Sequence, residues 1–246
     1  MKFSKYVDPA TKAARKVLNL RLKRCGAVIV AAGSASRMKG LDKIMEPVGG
    51  KPLIAMTVEA FESCDAISEV VIVTRDDLIL PVRNAVSHCK KVTAVVIGGK
   101  DRAESVNIGL GALSDKVKLA AIHDGARPLI SWQVIDRTVR AANTYGAAAP
   151  AIPVKDTIKV VQGGIVKETP ERKHLYAVQT PQVFDLDLLR GALKKAAEDK
   201  AEITDDCSAV ERLGMSVKIV EGDERNLKIT TPIDLTIAKM LMEETK

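Results

Sequence analysis

The amino-acid sequence predicts an α/β protein with a doubly wound, largely parallel sheet of the Rossmann-like kind. Short apolar runs alternate with helical patterns along the chain, and this alternation is typical of β-α-β units. Aromatic residues make up only 3% of the 246 residues, so Val, Ile, Leu and Ala must form the core. This composition suits parallel strands buried by helices on both faces, and the chain is long enough to bury a substantial core.

Five apolar runs are predicted as strands and four intervening stretches as helices. The strands are Gly26–Ala32, Val70–Thr74, Val92–Ile97, Leu119–His123 and Ala147–Ile152. The helices lie near Pro52–Ser63, Asp76–Ser87, Ala103–Leu113 and Trp132–Tyr145. Ligands of such sheets bind beyond the carboxyl ends of the strands, so the loops that follow the strands are the places to look for a site.

The pattern changes after Pro153, where a hairpin is expected. Polar and apolar residues alternate over Val154–Val161, Gly163 and Gly164 supply a turn, and Ile165–Thr169 reads as the return strand. We therefore predict an arm at about residues 154–176 that projects from a single domain spanning residues 25–246. The domain is expected to finish with two helices, a strand and a last helix, at Leu186–Glu198, Asp205–Leu213, Val217–Glu221 and Pro232–Glu244.

The net charge of +7 comes from the N-terminal extension, residues 1–24. This extension holds eight basic residues and one acid, and the rest of the chain holds 30 of each kind. A neutral body lacks the clustered cations of a nucleic-acid footprint, so we expect no nucleic-acid partner.

Cysteine usage and hydropathy favour a cytoplasmic protein with no membrane partner. The four cysteines are dispersed without metal-ligand spacing and are predicted to be buried thiols. No apolar run approaches the ~20 residues that cross a bilayer, and the N-terminus lacks the apolar core of a signal peptide. The basic, acid-poor extension would also suit an organelle transit peptide, but a solvated helical extension is the preferred interpretation.

The first candidate site follows the first predicted strand, in the segment A-V-I-V-A-A-G-S-A-S-R-M at Ala27–Met38. Small side chains at Ala31, Ala32 and Gly33 would let backbone N–H groups approach an anion. Arg37 and Lys43 place two cations beside that backbone, which predicts phosphate binding. The segment matches neither a Walker A loop nor the G-x-G-x-x-G fingerprint, and this disfavours a nicotinamide oxidoreductase.

The second candidate site is I-H-D-G-A-R-P, at Ile122–Pro128, again after an apolar strand. Asp124 offers the hard carboxylate oxygen that Mg²⁺ prefers, and Arg127 can bind a phosphate through two hydrogen bonds. A turn-capping role for Asp124 is equally compatible with the pattern. His123 is interpreted as a packed residue at the end of the strand.

Five further blocks complete a recognisable order of motifs: Gly98–Val106, Lys155–Lys159, Ala177–Phe184, Ile203–Asp206 and Asn226–Leu235. Together with A-A-G-S-A-S-R-M and H-D-G-A-R-P, they resemble the 2-C-methyl-D-erythritol 4-phosphate cytidylyltransferase family over about residues 25–240. The resemblance implies a Rossmann-like nucleotidyltransferase fold and transfer of CMP from CTP to the polyol phosphate, with release of pyrophosphate, in non-mevalonate isoprenoid biosynthesis. It also implies Mg²⁺, or another divalent cation such as Mn²⁺, and a homodimer formed through the arm.

The resemblance assigns roles residue by residue. It implies nucleotide contacts at Ala31, Ala32, Gly33, Gly99 and Ser105. It implies catalytic cations at Arg37, Lys43, Arg172 and Lys228, with Arg172 reaching the neighbouring subunit's substrate. Asp124 matches the carboxylate near the metal. The residues that match the polyol-phosphate site are Asp124, Gly125, Arg127, Thr157, Thr180, Thr204 and Lys228.

Some positions depart from the family pattern, and three alternative functions stay open. Ala35 stands where a second glycine is frequent, Gly125 replaces a frequent alanine, and Lys100 stands where an acidic residue is common, which could alter nucleotide contacts. A ribitol 5-phosphate cytidylyltransferase shares most of the motifs. A non-enzymatic nucleotide-binding regulator would keep the glycine loop without needing both Arg37 and Lys43. A nicotinamide oxidoreductase is the third alternative.

Overall fold

The computed structural model describes residues 22–33 and 43–243. The strands in these residues are β1 (Cys25–Val30), β2 (Pro47–Val48), β3 (Lys51–Pro52), β4 (Ile67–Thr74), β5 (Val92–Ile97), β6 (Leu119–Asp124), β7 (Ala147–Pro153), β8 (Val160–Gln162), β9 (Ile165–Glu168), β10 (Tyr176–Val178), β11 (Gln182–Asp185) and β12 (Lys218–Glu221). The α-helices in them are α1 (Leu53–Glu62), α2 (Ile79–Ala85), α3 (Arg102–Gly111), α4 (Trp132–Tyr145), α5 (Leu186–Glu198), α6 (Asp206–Glu211) and α7 (Pro232–Glu243).

Eight of the described strands form one mixed, mostly parallel sheet. Its order is β10-β7-β11-β6-β1-β4-β5, and β12 pairs with β7. The pairs β1–β4, β1–β6, β4–β5 and β7–β12 are parallel, whereas β11 lies antiparallel between β6 and β7. The predicted doubly wound, largely parallel sheet is therefore confirmed, with two antiparallel strands: β11 inserted between β6 and β7, and β10 at the edge beside β7.

The sheet is buried on both faces because alternate residues of its strands enter two separate cores. In β1, Ile29 packs into the core formed with α1, α2 and α4, and Val28 into the core formed with α3, α5 and α6. The same alternation in β6 sends Ala121 to the first core and Ile122 to the second. This two-residue period explains why the central strands read as continuous apolar runs.

Some predicted elements differ from the structure in their details. The helical stretch expected near Asp76–Ser87 is present, but it begins as a short 3₁₀ turn, Asp76–Leu78, and continues as α2. The strand expected over Val154–Val161 is limited to β8, because the chain before it is held by other contacts: the Val154 amide donates to the Leu175 carbonyl (3.0 Å). The extended segments β10 and β11 were not predicted, since each is only three or four residues long and forms by pairing with distant strands. Most of the basic extension, residues 1–21, lies outside the described residues.

The predicted hairpin forms and lies apart from the central sheet. Strands β8 and β9 pair only with each other among the described strands. Gly163 and Gly164 both adopt positive φ angles, 57° and 78°, as a tight hairpin turn requires. All the residues of both strands are exposed. The hairpin therefore projects into solvent from the single described chain.

Candidate active site

A cavity of about 420 Å³ lies past the carboxyl ends of β1, β5 and β6. This is the position at which parallel α/β sheets bind ligands. The described part of its wall comes from four segments of the chain, which are Val30–Gly33 with Lys43 and Ile44, Gly99–Arg102 with Ser105, Asp124 with Ala126, and Lys228.

Small residues are required in the wall because two loops cross closely. A Cβ on Gly98 would lie 2.4 Å from the Cβ of Ala32 and 2.9 Å from the Ser105 hydroxyl. The Ala31 amide donates to the Val73 carbonyl (2.7 Å) and thus continues the pairing of β1 with β4. Of the backbone N–H groups predicted to approach an anion, that of Ala31 is therefore used by hydrogen bonding within the sheet.

The loop between β5 and α3 is organised by the residues at the start of that helix. Asp101 caps α3 by accepting a hydrogen bond from the Glu104 amide (2.8 Å), and the Glu104 carboxylate in turn accepts from the Lys100 amide (2.8 Å). The Gly99 amide donates to the Ser105 hydroxyl (3.1 Å), which donates to the Asp101 carbonyl (2.8 Å). The two predicted nucleotide contacts, Gly99 and Ser105, are thus joined by one hydrogen bond at the cavity wall.

Asp124 stands at the centre of a cluster of cations. Its Oδ2 lies 3.1 Å from Lys228 Nζ and 3.3 Å from Arg127 Nε, and its Oδ1 lies 3.9 Å from Arg102 Nε. Burial by itself would raise the pKa of Asp124, but the charges of Lys228, Arg102 and Arg127 outweigh burial and lower that pKa to about 2. The carboxylate is therefore ionised in the folded protein at neutral pH.

Arg102 is anchored from behind by Asp206. The Asp206 side chain is fully buried, and its Oδ2 lies 2.8 Å from Arg102 Nη2. The contact is an ion pair rather than a well-directed hydrogen bond, and both carboxylate oxygens lack a directed hydrogen bond within the described residues. Burial raises the pKa of Asp206 more than Arg102 lowers it. Arg102 is in this way held between two carboxylates.

His123 belongs to a buried chain of hydrogen bonds that fixes the backbone of Asp124. The Thr180 hydroxyl lies 2.9 Å from His123 Nδ1 and accepts the Asp124 amide (3.1 Å), while His123 Nε2 donates to the Arg127 carbonyl (3.3 Å). Nδ1 therefore accepts the hydroxyl proton, which assigns the neutral Nε2–H tautomer. Burial lowers the pKa of His123 to about 3, so the neutral ring is the stable form.

The cavity brings together most, but not all, of the residues singled out from the sequence. Its wall contains Ala31, Ala32, Gly33, Lys43, Gly99, Ser105, Asp124 and Lys228. Arg127 contacts Asp124 from the side and donates from Nη1 to the Asn226 carbonyl (2.7 Å). Gly125 packs behind the wall, where a Cβ would lie 3.0 Å from the Cβ of Ala31. Arg37 lies outside the described residues.

Besides Gly125 and Arg127, four more predicted substrate residues do not line this cavity. Thr180 is buried, and its hydroxyl is used by His123 and Asp124. Thr157, Thr204 and Arg172 are exposed, and Arg172 Nη1 donates to the Lys155 carbonyl (2.9 Å). Their contacts with substrate stay predictions.

Sequence reasoning missed Arg102, Asp206 and Asn226 as parts of the site. Arg102 and Asp206 lie in the motifs G-G-K-D-R and I-T-D-D. The signal that could have found them was a charged residue in each motif to which no role had been assigned. Asn226 is buried, and its amide nitrogen donates to the Thr180 carbonyl (2.9 Å). Its role depends on a contact between segments that are 46 residues apart.

The cavity fits a magnesium ion that arrives with a phosphate ligand. Mg²⁺ is commonly held by one or two carboxylates together with substrate phosphates, and the cavity offers the ionised Asp124 and the capping residue Asp101. No group of three or more His, Cys, Asp or Glu side chains suited to a metal occurs in the described residues. The residues therefore suit a metal that is shared with a ligand, not an all-protein cage.

The fold and the position of the cavity define the class of protein as a Rossmann-like nucleotidyltransferase domain. The profile of the 2-C-methyl-D-erythritol 4-phosphate cytidylyltransferase family matches residues 25–244, and the chain belongs to this family. A relative of that name from Caldanaerobacter subterraneus is 41% identical over 223 residues, which cover 89% of this chain and 98% of the relative. Another from Halalkalibacterium halodurans is 45% identical over 223 residues, covering 88% and 96%.

Solved structures agree with this assignment. The crystal structure of 2-C-methyl-D-erythritol 4-phosphate cytidylyltransferase from Thermus thermophilus matches with a TM-score of 0.74 and 34% identity, covering 89% of this chain and 99% of that one. A 4-diphosphocytidyl-2C-methyl-D-erythritol synthase from Anaerococcus prevotii matches with a TM-score of 0.82 and 29% identity, covering 90% and 96%. Among the helices of the described residues, none is long and apolar enough to span a membrane.

Proposed function

We propose that this protein transfers CMP from CTP to 2-C-methyl-D-erythritol 4-phosphate and releases pyrophosphate, a step in isoprenoid precursor synthesis. The observation that carries the proposal is the single cavity in which Gly99, Ser105, Lys43, Asp124 and Lys228 meet. These residues come from distant parts of the sequence, and each belongs to a motif of the family.

The reaction requires charge neutralisation more than proton transfer. A phosphate oxygen of the acceptor attacks the α-phosphorus of CTP, a new P–O bond forms, and the bond to the β-phosphate oxygen breaks as pyrophosphate leaves. The attacking oxygen is already anionic, so no general base is needed. His123 is neutral, buried and hydrogen-bonded through both ring nitrogens, which supports a structural role for this residue.

Lys43, Lys228 and Arg37 are the cations proposed to act on the phosphates. Electrostatic stabilisation of this kind is usually the largest contribution to phosphoryl and nucleotidyl transfer. Asp124 would hold Mg²⁺ together with the triphosphate, and the metal would supply charge neutralisation and orientation of the phosphate oxygens. Arg102 and Arg127 keep the Asp124 carboxylate in place from two sides.

We further propose that the protein is a homodimer assembled through the arm. Apolar side chains on the arm are exposed in the single chain, with exposed fractions of 55% at Val161, 65% at Ile165 and 53% at Val166. A two-stranded hairpin is marginal in water unless something packs on it, and twofold symmetry is the commonest way to cover such a surface. Arg172 lies just beyond the hairpin and would then reach the partner's cavity.

Pyrophosphate release from CTP with purified protein tests the proposed reaction. We expect turnover with 2-C-methyl-D-erythritol 4-phosphate in the presence of Mg²⁺, and much slower turnover with ribitol 5-phosphate. The reverse preference would favour the ribitol enzyme, and tight CTP binding without turnover of either acceptor would favour a regulator.

The variant Lys43→Ala tests whether the cavity is the active site. Loss of one electrostatic stabiliser typically lowers the rate by ~10²–10³, while the melting temperature should change little because Lys43 is only partly buried. Lys194→Ala, on the exposed side of α5, is the matched control and should keep the rate. Near-full activity of a folded Lys43→Ala protein would contradict the assigned site.

A further inference from the structure

Lys228 holds Asp124 differently from the two arginines beside it. The Lys228 side chain is 43% exposed, whereas the carboxylate that it contacts at 3.1 Å is only 11% exposed. Arg102 is also tied to Asp206, and Arg127 also donates to the Asn226 carbonyl. Within the described residues, the Lys228 ammonium has its ion pair with Asp124 and no second one. Lys228 is therefore the cation of the cluster that can leave Asp124 most easily.

The charge around Asp124 opposes entry of a metal ion alone. Three cations, Lys228, Arg102 and Arg127, contact the one Asp124 carboxylate, while Asp206 and Asp205 act on Arg102. Positive charge therefore predominates at Asp124 itself, and a divalent ion there would lie a few ångströms from Lys228. Charges at such distances interact strongly near a protein surface. A ligand that brings several negative charges would reverse this balance.

We propose that Lys228 is a built-in counter-ion that occupies Asp124 in the free protein, so that a divalent metal binds there only together with the nucleotide. Entry of the metal with the triphosphate displaces the Lys228 ammonium from Asp124. The displaced ammonium is then available to the acceptor phosphate, which couples nucleotide binding to acceptor binding. This inference rests on the proposed function and its magnesium site.

Electron paramagnetic resonance of Mn²⁺ reports free and bound metal without turnover and tests the inference, and a titration of Mn²⁺ with CTP alone gives the share of metal held by the nucleotide itself. Wild-type protein should bind Mn²⁺ weakly alone and at least about tenfold more tightly with CTP present and no acceptor, counted as protein-bound metal beyond that share. Lys228→Gln removes the counter-ion and should tighten Mn²⁺ binding to the CTP-free protein by at least about tenfold. Lys228→Arg keeps the charge and should bind Mn²⁺ as weakly as wild type.

Lys100→Gln is the matched control, since Lys100 lies in the same cavity wall and, within the described residues, is not among the cations that pair with Asp124. Its loss should leave Mn²⁺ affinity close to that of wild type. Equal tightening by Lys100→Gln and Lys228→Gln would overturn the inference, because removal of any nearby charge would then suffice. Unchanged affinity in folded Lys228→Gln would also overturn it.

The same titrations separate failure of the inference from failure of the proposed function. Tight Mn²⁺ binding by wild-type protein without CTP would overturn the counter-ion role of Lys228 and leave the proposed metal site intact. Absence of protein-bound Mn²⁺ in the wild-type sample even with saturating CTP, beyond the Mn²⁺ that CTP holds without protein, would overturn both. Thermal melting of each variant, in buffer without metal, verifies that the measured proteins are folded.

Discussion

Arg102 and Asp206 set the geometry of the cavity wall at the scale of single residues. Arg102 Nε lies 3.9 Å from Asp124 Oδ1, and its Nη2 lies 2.8 Å from Oδ2 of the fully buried Asp206. A buried carboxylate is costly unless a cation stays beside it. The requirement that Asp206 be compensated therefore keeps Arg102 beside Asp124, where it helps to hold that carboxylate ionised.

Breaking this ion pair should destabilise the protein. Arg102→Met leaves the fully buried Asp206 carboxylate without its nearest cation, and we expect the free energy of unfolding in urea to fall by about 2–4 kcal/mol. Asp206→Asn removes the buried charge itself and should cost less, and the double variant should lose less than the sum of the two, because the pair is coupled. The exposed pair Lys155–Glu224 is the control, and Glu224→Gln should leave stability nearly unchanged. Strict additivity of the Arg102 and Asp206 changes would contradict the anchoring role.

His123 should make stability depend on pH between pH 7 and pH 5. Its pKa is about 3 in the folded protein, below the ordinary value of 6.5, so the unfolded chain takes up the proton first as pH falls. The free energy of unfolding therefore decreases below about pH 6.5, by about 1–2 kcal/mol at pH 5 from this residue. His123→Asn should flatten the profile measured by urea unfolding. The exposed His174 is the control, and a profile that changes with His174→Asn but not with His123→Asn would refute the assignment.

Helix α3 is placed by close packing at the scale of secondary structure. Its first residue is Arg102, so the position of the helix axis decides where that guanidinium meets Asp124 and Asp206. Near its end, Gly109 lies so close to the sheet that an added Cβ would be 2.3 Å from Val28 Cγ1 and 2.9 Å from Val73 Cγ2. The absence of a side chain at Gly109 thus lets α3 approach β1 and β4.

Two glycines of α3 make a matched test of this packing. Helix propensity favours alanine over glycine by up to about 1 kcal/mol, and nothing lies within 4 Å of a Cβ on Gly111. Gly111→Ala should therefore be neutral or slightly stabilising in urea unfolding. Gly109→Ala forces α3 away from the sheet and should destabilise by about 1–3 kcal/mol. Equal effects of the two changes would show that propensity, and not contact with Val28, governs this helix.

At the scale of the whole molecule, the proposed dimer would bring the arm of one chain to the cavity of its partner. Lys43 lines the cavity of its own chain, whereas Arg172 lies on the exposed arm and contacts Lys155. In a site completed by a partner's arm, Lys43 of one chain would meet Arg172 of the other chain across the interface. The location of each residue therefore makes the assembly testable by mixing variants.

Mixed dimers of Lys43→Ala and Arg172→Ala should recover activity that neither variant has alone. In such a heterodimer both lesions can fall in one composite site, which leaves the other site intact. We expect at most about half of the wild-type rate per heterodimer, measured as pyrophosphate release after co-expression with two affinity tags. Negligible activity of verified heterodimers would place the action of Arg172 within its own chain. A monomer in sedimentation at assay concentration would contradict the dimer itself.

Local patterns in the sequence were sufficient to predict much of the architecture and the identity of many cavity residues. The continuous apolar runs predicted β1, β4, β5, β6 and β7. Burial on both faces leaves no polar period in β1, β4, β6 and β7, whereas the edge strand β5 is only partly buried. The small residues at Ala31 and Ala32, and the charges at Lys43 and Asp124, followed from loops after strands and from the order of the motifs. The glycine turn and the alternating residues predicted the hairpin, although only part of its first strand has that conformation.

Only the tertiary structure decided which charges meet. Strand β11 inserts antiparallel between β6 and β7 because pairing across the sheet, and not local propensity, stabilises its four residues. That insertion brings Thr180 against His123, and the segment after β12 brings Lys228 to Asp124 and Asn226 to Thr180. Burial then sets the pKa values of Asp124, His123 and Asp206 through desolvation and nearby charges, quantities that exist only once the chain is packed. Sequence determined the parts of the site, and packing determined their electrostatics.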